Sequence, residues 1–376
     1  MPAERLRVAV DATPLLGVRT GVGVFCEWAL ACLARREELE MSAFAVSWRR
    51  RGGIRAHLPA GVRMVDRPMP ARPLHRAWGL GSLPPVEWWT GPEDVVHGTN
   101  FVVPPTRRAA RVVTVHDLTA VRFPEMCDDY TRTFPRLVRR ALADGAWVHT
   151  PSQFVAAEVV DLLGARPDRV VAVHHGIPLD PGQGTGTDAL PVAARGAPYV
   201  LALGTVEPRK DLPTLVRAFD AVAADVPGLR LVVAGPEGWG EDAFAGAVQR
   251  TVHRDRVVRL GWVGGDERAA LLRNAAVYVY PSLYEGFGFP PLEAMVAGVP
   301  VVTTTAGALP EVVGDGAELV GPGDADALAA AVRVLATDPS AREAAVARGR
   351  ARAGRFSWDR TAAGLSDLYR RAAAGR

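Results

Sequence analysis

Cysteine is scarce in this sequence of 376 residues. Its three cysteines, Cys26, Cys32 and Cys127, make an odd number and show none of the spacings typical of metal ligands. We therefore expect neither a disulfide framework nor a cysteine metal site. So few cysteines are typical of a protein from a reducing compartment, and the expected location is cytoplasmic.

Long apolar runs are also missing. No run approaches the roughly 18 residues that a helix needs to cross a bilayer. The first residues, Met1 to Arg7, are charged and lack the apolar core of a signal peptide. With 48% hydrophobic and 23% charged residues, the composition is that of a soluble globular protein, and the length predicts two domains.

A large excess of one charge is absent as well, because the net charge is only +3. We therefore expect no nucleic-acid partner. The arginines are nevertheless unevenly distributed: eight lie between Trp48 and Trp78, with Asp66 as the only acid, and Trp88 and Trp89 follow. One interpretation is a solvated face in an arginine-rich chain. The other is a basic, aromatic-edged surface for peripheral contact with the anionic inner leaflet of a membrane or with an anionic acceptor.

Short apolar segments alternate with helix-like segments along the chain, which predicts an α/β protein with parallel sheets. Strands are predicted at 6–10, 42–47, 62–66, 94–97, 111–116, 147–150, 169–174, 199–203, 229–234, 257–260, 275–280 and 299–304. Between them the sequence predicts a glycine-rich turn over 17–23, a helix over 24–34, a long loop with a short helix over 67–92 and a helix over 128–144. Ser152, Asp211 and Asp324 precede further predicted helices and are candidate N-caps.

The segment 177–198 interrupts this alternation. It holds four prolines around a Gly-Gln-Gly-Thr-Gly run, which is typical of a linker or an exposed loop. We therefore predict a Rossmann-like domain at 1–176, a linker at 177–198 and a second Rossmann-like domain at 199–354. A final helix in 355–376 is expected to pack back toward the N-terminal domain.

The stretch 280–298 combines the features of a ligand-binding turn. A predicted strand leads into a loop containing Gly286 and Gly288, and two prolines then suit the first turn of a helix. Backbone N–H groups and the positive end of the helix dipole attract phosphate at such a junction. Glu285 and Glu293 flank it and could accept hydrogen bonds from sugar hydroxyls. The alternative is that both glutamates are surface charges and the glycines only form a tight turn.

Two basic residues, Arg209 and Lys210, follow the first strand of the second half. The loop beginning at Gly235 and the loop 303–311 follow other strands of that half. A guanidinium and an ammonium beside a helix N-terminus suit a diphosphate. The alternative is a solvated pair.

In the first half, the glycine-rich turn contains Gly17, Gly21 and Gly23. This spacing differs from the dinucleotide fingerprint, which argues against a dehydrogenase. A loop that lets a substrate approach the start of a helix remains a reasonable interpretation.

Histidines lie at the predicted carboxyl ends of strands in the first half, where open α/β sheets bind ligands. They are His97, His116 and His175. A lone histidine is more often structural than catalytic. His116 is the strongest candidate because it stands at a strand end beside Asp117.

Together these motifs resemble the retaining glycosyltransferases of family 4, which have the fold called GT-B. The strongest pieces are the segments 204–210, 285–293 and 301–315, and weaker ones are 20–25, 113–118 and 150–154. The resemblance covers nearly the whole chain. It implies two Rossmann-like domains whose parallel sheets face a central cleft, with the acceptor on the N-terminal domain and a nucleotide-sugar donor on the C-terminal domain.

By this resemblance, Glu285 holds hydroxyls of the donor sugar and Glu293 holds the ribose. Lys210, with Arg209, neutralises the leaving diphosphate, and His116 lies at the reaction centre. Further donor contacts are implied at Gly21, Gly23, Gly204, Gly235, Gly286, Phe287, Gly288 and Phe289. The implied reaction retains the anomeric configuration and needs no protein nucleophile.

One departure concerns Thr205, which stands where many relatives carry arginine. Either one diphosphate contact is lost, or Arg209 supplies it. The Val-Glu-Pro-Arg-Lys-Asp version of this loop is similar to the mannosyltransferase branch and points to GDP-mannose. The acceptor is expected to be a glycan, a lipid-linked molecule or a small molecule.

No cofactor other than the donor substrate is implied, and metal is not expected to be essential. Asp324-Ala-Asp326 spells the D-x-D of metal-dependent transferases, but it opens a predicted helix, where a cap is the favoured interpretation. A glycoside hydrolase also uses two carboxylates, yet it needs neither Arg209 nor Lys210. A non-catalytic sugar-nucleotide-binding module is the other alternative, and the intact site residues argue against it.

Overall fold

The computed structural model describes residues 5–17, 20–178 and 189–375. The chain divides into two compact units, the first comprising 1–176 with 357–376 and the second comprising 177–356. Much of the predicted linker, 179–188, lies outside the described residues, as do residues 18–19 of the predicted glycine-rich turn. None of the helices in the described ranges is both long and apolar enough to span a membrane.

The first unit is built on seven short strands. They are β1 (Leu6–Asp11), β2 (Leu39–Phe44), β3 (Arg63–Val65), β4 (Val95–Gly98), β5 (Ala110–Thr114), β6 (Trp147–Thr150) and β7 (Val170–Ala172). Its helices are α1 (Gly21–Leu33), α2 (Ala71–Leu80), α3 (Glu87–Thr90), α4 (Thr119–Arg122), α5 (Phe134–Ala143) and α6 (Gln153–Leu163). All neighbouring strands pair in parallel, in the order β3-β2-β1-β4-β5-β6-β7.

The second unit repeats this plan with six strands. They are β8 (Tyr199–Leu203), β9 (Arg230–Ala234), β10 (Val257–Gly261), β11 (Val277–Tyr280), β12 (Val301–Thr304) and β13 (Glu318–Val320). Its helices are α7 (Leu212–Asp225), α8 (Glu241–Arg250), α9 (Gly265–Asn274), α10 (Phe289–Ala297), α11 (Leu309–Val313), α12 (Ala325–Thr337) and α13 (Pro339–Ala353). The parallel order is β10-β9-β8-β11-β12-β13.

The two central strands of the second sheet, β8 and β11, are buried along their whole length, as expected for a parallel sheet covered on both faces. In the second unit, Val200 on β8 pairs with Leu231 on β9 and with Val277 on β11, and all three are buried. Since the strands run in parallel, their carboxyl ends gather at one edge of each sheet, the edge at which such sheets bind ligands. Two parallel α/β units confirm the predicted fold class.

The predicted glycine-rich turn is wrong at its carboxyl end. Helix α1 begins at Gly21, so Gly21 and Gly23 occupy its first turn rather than a loop, and Gly23 is buried. Thr20 has the extended backbone of an N-cap residue. Glycine costs about 1 kcal/mol relative to alanine inside a helix, and tertiary packing overrides that preference here.

Other boundaries also differ from the predictions. Strand β2 begins and ends three residues before the predicted 42–47, and β5 ends at Thr114, so His116 follows the strand rather than closing it. The segment 67–92, predicted as a long loop with a short helix, contains α2 with 10 residues and also α3 with four. Within the predicted helix 128–144, the α-helix begins only at Phe134, and it has a proline in its first turn. Strand β13 was missed because three half-buried residues carry no periodic signal.

The last helix, α14 (Trp358–Ala374), contributes to a buried chain of hydrogen bonds in the first unit. The hydroxyl of Tyr369 lies 2.7 Å from Nδ1 of His97, whose Nε2 lies 2.7 Å from Oγ1 of Thr114. That oxygen lies 2.9 Å from Nδ1 of His149, whose Nε2 lies 3.2 Å from the carbonyl oxygen of Val173. Burial lowers the pKa of both histidines, so both rings are neutral. Because the Val173 carbonyl only accepts, the donors of the chain then all point toward it, beginning with the Tyr369 hydroxyl. His97 therefore has a structural role.

Candidate active site

The loop after β8 places the two predicted basic residues at the carboxyl edge of the second sheet. Gly204 leaves the strand with φ of +143°, and Pro208 to Lys210 form a single 3-10 turn. Asp211 then caps α7, as predicted, with φ of +44°. Lys210 is the only lysine among the 44 lysine and arginine residues of the chain.

Glu285 gathers three donors on one carboxylate oxygen. Its Oε1 lies 2.6 Å from Nζ of Lys210 and 2.6 Å from Nη1 of Arg209, and the hydroxyl of Tyr280 donates to it at 2.8 Å. Lys210 also contacts the Tyr280 hydroxyl and lies 4.3 Å from the centroid of that ring. Arg209 pairs in addition with Glu207 at 2.7 Å. The formal charges of these two cations and two carboxylates sum to zero.

Burial and charge act in opposite directions on this cluster. Burial raises the pKa of the Glu285 carboxyl, but the charges of Arg209 and Lys210 outweigh it and bring the pKa to about 2. Burial lowers the pKa of Lys210, Arg209 lowers it further, and Glu285 opposes both. Burial and the Glu285 charge raise the pKa of Tyr280 well above its ordinary value. At neutral pH, Glu285 is therefore ionised and Tyr280 is a neutral donor.

Helix α10 follows the glycine loop, but its first turn offers fewer donors than the sequence analysis assumed. Gly288 is the N-cap, with φ of +100°, and Phe289 is the first helical residue. Pro290 and Pro291 come next and lack N–H groups. An anion approaching this helix would therefore meet the backbone amides of Phe287 and Gly288 in the loop and of Phe289 at the helix start, because the next two residues have none.

Glu293, in the first half of α10, is paired with Arg268 through Oε2 and Nη2. Arg268 lies in the first half of α9, so two helices meet at this ion pair. The side chain of Glu293 is mostly buried, whereas that of Arg268 is more exposed. Burial lowers the pKa of the Arg268 guanidinium, but the Glu293 charge outweighs it and raises the pKa.

Glycines let the loops of this edge approach one another closely. A Cβ on Gly235 would lie 2.1 Å from the carbonyl oxygen of Gly204, and one on Gly307 would lie 2.3 Å from that of Glu285. The N–H of Ala308 donates to the same Glu285 oxygen at 2.8 Å. The loop 303–311 therefore supports the backbone that carries Glu285.

A small open pocket lies at the carboxyl ends of β8 and β11. Its lining includes Gly204, Thr205, Lys210, Tyr280 and Pro281. The structure thus brings together Gly204, Arg209, Lys210 and Glu285 of the predicted site, with Thr205 beside them. Glu293 is held separately by Arg268.

In the first unit, His116 is half-buried and its Nε2 lies 2.8 Å from the carbonyl oxygen of Thr99. Because that oxygen only accepts, Nε2 carries the hydrogen and Nδ1 is the accepting nitrogen. Burial lowers the pKa of His116, opposed by the Thr99 hydrogen bond and by Asp117. Its ring lies edge-on to the ring of Phe25, with centroids 5.4 Å apart. Phe25 is in α1, two residues after Gly23.

Asp11 was missed by the sequence analysis, although it is connected to His116. It ends β1, and its carbonyl oxygen accepts a hydrogen bond of 2.6 Å from Oγ1 of Thr99, whose own carbonyl receives His116. Burial raises the pKa of the Asp11 carboxyl to about 6, against hydrogen bonds from Thr13.

Three residues of the second unit that contact the predicted site were missed as well. Tyr280 binds Glu285 and Lys210, Glu207 binds Arg209, and Arg268 binds Glu293. Tyr280 ends β11, and that position at a carboxyl strand end is the signal that could have found it. Arg268 carries no such signal because its partner comes from a distant helix.

The Asp324-Ala-Asp326 motif has the predicted role of a helix start. Oδ1 of Asp324 accepts from the N–H of Ala327 at 2.9 Å and so caps α12. Within residues 5–17, 20–178 and 189–375, no three or more histidine, cysteine, aspartate or glutamate side chains are grouped to hold a metal ion.

Two family models match the chain, one in each half. Residues 21–181 match the model described as Glycosyltransferase Family 4, and residues 197–338 match the one described as Glycosyl transferases group 1. The two matches together extend from the first turn of α1 to the end of α12.

Individual relatives agree with these models. O-antigen chain mannosyltransferase B of Escherichia coli is 32% identical over 325 residues, covering 85% of this chain and 83% of that protein. D-inositol 3-phosphate glycosyltransferase of Kineococcus radiotolerans is 35% identical over 243 residues, which span 58% of this chain and about half, 55%, of that protein. The fold matches HepE of Anabaena, solved with UDP and glucose, with a TM-score of 0.71 at 18% identity, covering 97% of this chain and 99% of that one. The chain therefore belongs to glycosyltransferase family 4 and is a glycosyltransferase of the GT-B fold.

Proposed function

We propose that this glycosyltransferase moves a sugar from a nucleotide-diphosphate donor to a glycan, lipid-linked or small-molecule acceptor, with retention at the anomeric carbon. The donor we favour is GDP-mannose. The observation that carries the proposal is the contact of Lys210 and Arg209 with Glu285 at the carboxyl edge of the second sheet. It places the cations suited to a diphosphate beside a carboxylate suited to sugar hydroxyls.

Charge balance suggests how the donor enters this site. Arg209 and Lys210 are neutralised by Glu207 and Glu285 at distances of 2.6–2.7 Å. A bound diphosphate would compete with Glu285 for the two cations. The released Glu285 carboxylate would then accept hydrogen bonds from the donor sugar, and Tyr280 would remain a donor beside the phosphate.

During transfer, the bond between the anomeric carbon and the diphosphate oxygen breaks, and negative charge develops on the leaving diphosphate. Lys210 and Arg209 would stabilise that charge more strongly in the transition state than in the bound donor. The amides of Phe287, Gly288 and Phe289 would assist. The leaving phosphate itself would take the acceptor's proton, so no protein nucleophile is required and metal is not essential.

The remaining assignments follow the same donor placement. Glu293 would bind the ribose, in an orientation held by Arg268. His116 is neutral, with Nδ1 accepting, and would contact a hydroxyl of the sugar or the acceptor. Gly21 and Gly23 would act through the start of α1, whose residue Phe25 packs against His116, rather than through a mobile loop.

The identity of the donor rests on the relatives. The Escherichia coli relative is a mannosyltransferase that matches most of the chain, which favours a mannosyl donor. HepE, which was solved with UDP and glucose, makes UDP-glucose the second candidate. Thermal unfolding of the full chain with GDP-mannose, UDP-glucose and dTDP-sugars separates them, because a tight ligand raises the apparent stability. The proposal expects the largest shift with GDP-mannose and its loss in Lys210→Ala.

The anomeric outcome needs a separate experiment. With the donor that gives the shift, proton NMR of the first product formed should show the anomeric configuration of the donor. An inverted product would overturn the retaining assignment while leaving the glycosyltransferase itself intact.

Glycoside hydrolysis is the weaker alternative. A hydrolase needs a carboxylic acid whose pKa is raised, so that it can protonate the leaving oxygen. Glu285 has the opposite property, because its pKa is held at about 2. Cleavage of glycosides without any sugar nucleotide would favour the hydrolase. A chain that bound a sugar nucleotide but neither hydrolysed nor transferred it would instead be a binding module.

A further inference from the structure

The loop 47–51, the segment 66–69 and helix α3 form one surface of the first unit, here called the Trp48–Trp88 face. The N–H of Met69 donates to the carbonyl oxygen of Ser47 at 3.2 Å, which joins the first two segments. Nε1 of Trp89 donates to the carbonyl oxygen of Pro68 at 3.0 Å and Nη1 of Arg67 to that of Trp88 at 2.9 Å, which joins them to α3.

This face exposes large aromatic side chains. Trp48 is 58% exposed and Trp88 is 55% exposed. Large apolar groups exposed on one connected surface mark interaction sites, whereas isolated ones need no explanation.

The charge surrounding these groups is positive. Arg49 and Arg50 are exposed beside Trp48, Arg67 is exposed beside Trp88, and the Arg107 guanidinium carbon lies 6.0 Å from the Trp88 ring centroid.

The acids of this face are already engaged. Asp66 pairs with Arg51 at 2.8 Å and lies 4.0 Å from Arg55. Glu87 accepts the backbone N–H groups of residues 107–109. The arginines that remain exposed therefore give the face a positive potential.

We propose that the Trp48–Trp88 face binds the surface of an anionic lipid bilayer. Arginines attract acidic headgroups, and tryptophan rings settle at the boundary between headgroups and acyl chains. Folded RNA or DNA would also meet the arginines, but it would leave the exposed tryptophan rings in water. The combination of charge and apolar exposure therefore favours the bilayer.

The position of this face relates the lipid contact to the edge of the first sheet that carries His116. The loop 47–51 follows the carboxyl end of β2, at the same edge of the first sheet as Asp11 and His116. A bilayer held there would present a lipid-linked acceptor to that edge. The presentation of an acceptor rests on the proposed function, because it names the source of that acceptor. The lipid contact itself does not depend on the proposed function.

Vesicle flotation of the full chain tests the contact. Vesicles of phosphatidylcholine alone are compared with vesicles that also contain phosphatidylglycerol, each at low and high salt. We expect binding to the anionic vesicles only, and a decrease with salt because ions screen the attraction. Equal binding to both vesicles, or binding to neither, would overturn the inference.

Matched variants locate the contact. Arg49→Gln with Arg50→Gln should reduce anionic-vesicle binding by roughly tenfold or more, on the scale of the contribution of each basic residue near such a membrane. Trp88→Ala should reduce it and Trp88→Phe should retain most of it. The control, Arg250→Gln with Arg254→Gln, makes the same charge change on exposed positions of the second unit and should bind like the wild type.

Two further readouts keep the outcomes distinct. Hydrolysis of the nucleotide-sugar donor should be unchanged in Arg49→Gln/Arg50→Gln. If the wild type itself did not hydrolyse the donor, that result would contradict the proposed function and would leave the lipid contact unaffected. Displacement of the vesicles by single-stranded RNA, with the same sensitivity to both variants, would assign the face to nucleic acid and overturn the lipid assignment.

Discussion

The Nζ of Lys210 lies 2.6 Å from Oε1 of Glu285, so the single lysine of the chain is held by the carboxylate assigned to the donor sugar. This contact connects two loops separated by 75 residues. It makes the charge state of each group depend on the other, because Glu285 raises the pKa of Lys210 and Lys210 lowers that of Glu285. The predictions for the donor site start from this pair.

Removing the lysine should remove transition-state stabilisation. We expect Lys210→Ala to raise the activation free energy for turnover of the nucleotide sugar by at least about 2–4 kcal/mol, the scale of losing one preorganised hydrogen-bond donor. Lys210→Arg keeps the charge and should recover part of the loss, although the planar guanidinium cannot reproduce the position of an ammonium. Steady-state donor hydrolysis and transfer check this, with circular dichroism as the folding control. Unchanged turnover in Lys210→Ala would contradict the site.

The presence of one lysine allows its pKa to be measured directly. Reductive methylation with ¹³C-formaldehyde labels only Lys210 and the amino terminus, and methylation keeps the charge. The methyl signal of Lys210 should titrate below the ordinary lysine pKa of about 10.4. It should titrate lower still in Glu285→Gln, which removes a charge that raises it, and higher when GDP is bound. A Lys210 signal that titrates at the ordinary value would show that burial does not control this group.

Replacing Glu285 and replacing Glu293 should cause different defects. Glu285→Ala should reduce turnover more than nucleotide affinity, since it removes a sugar contact and frees two cations for the diphosphate. Glu293→Ala should reduce both. Isothermal titration with GDP, together with kcat and KM for the donor, separates the effects. Abolished GDP binding in Glu285→Ala with intact binding in Glu293→Ala would reverse the assignment.

Arg268 should act through Glu293 on the nucleotide. We expect Arg268→Gln to raise the Kd of GDP and the KM of the donor several-fold, with a smaller effect on kcat, because Glu293 loses the partner that orients it. A matched control is Arg254→Gln, which makes the same charge change at an exposed position of the second unit. If kcat fell and GDP affinity stayed the same, Arg268 would belong to the chemical step instead.

The histidine chain of the first unit should make folding sensitive to acid. Burial lowers the pKa of His149 to about 3 and that of His97 well below the ordinary 6.5. The unfolded chain then binds more protons than the folded one below about pH 6.5, so the free energy of unfolding should fall as the pH drops, by up to about 1.4 kcal/mol per pH unit for each group. Acid titration of Asp11, whose pKa is raised to about 6, opposes this trend.

Urea unfolding of the full chain between pH 7 and pH 4 measures this dependence, with m-values checked at each pH because the chain has two units. His149→Asn cannot titrate and should give a shallower dependence. An identical slope in His149→Asn would contradict the role of the buried histidines.

Local sequence signals located most elements because each depends on neighbouring residues. The bounds of β6 and β8 agree with the prediction, and Ser152, Asp211 and Asp324 cap the helices that they precede. The start of α1 was missed since glycines disfavour helices locally, and packing alone places Gly23 in one.

The sequence by itself determined the α/β class, the family and the positions of Lys210, Glu285 and Glu293, since these follow from apolar periodicity and from motifs contiguous in the chain. Only the tertiary structure decided which charges neutralise each other. Arg268 pairs with Glu293, and Glu285 binds Tyr280, Arg209 and Lys210. These contacts form because parallel strands and the helices after them bring distant loops to one edge. Coulombic attraction depends on the distance between charges in space, and the separation of two residues along the chain does not predict that distance.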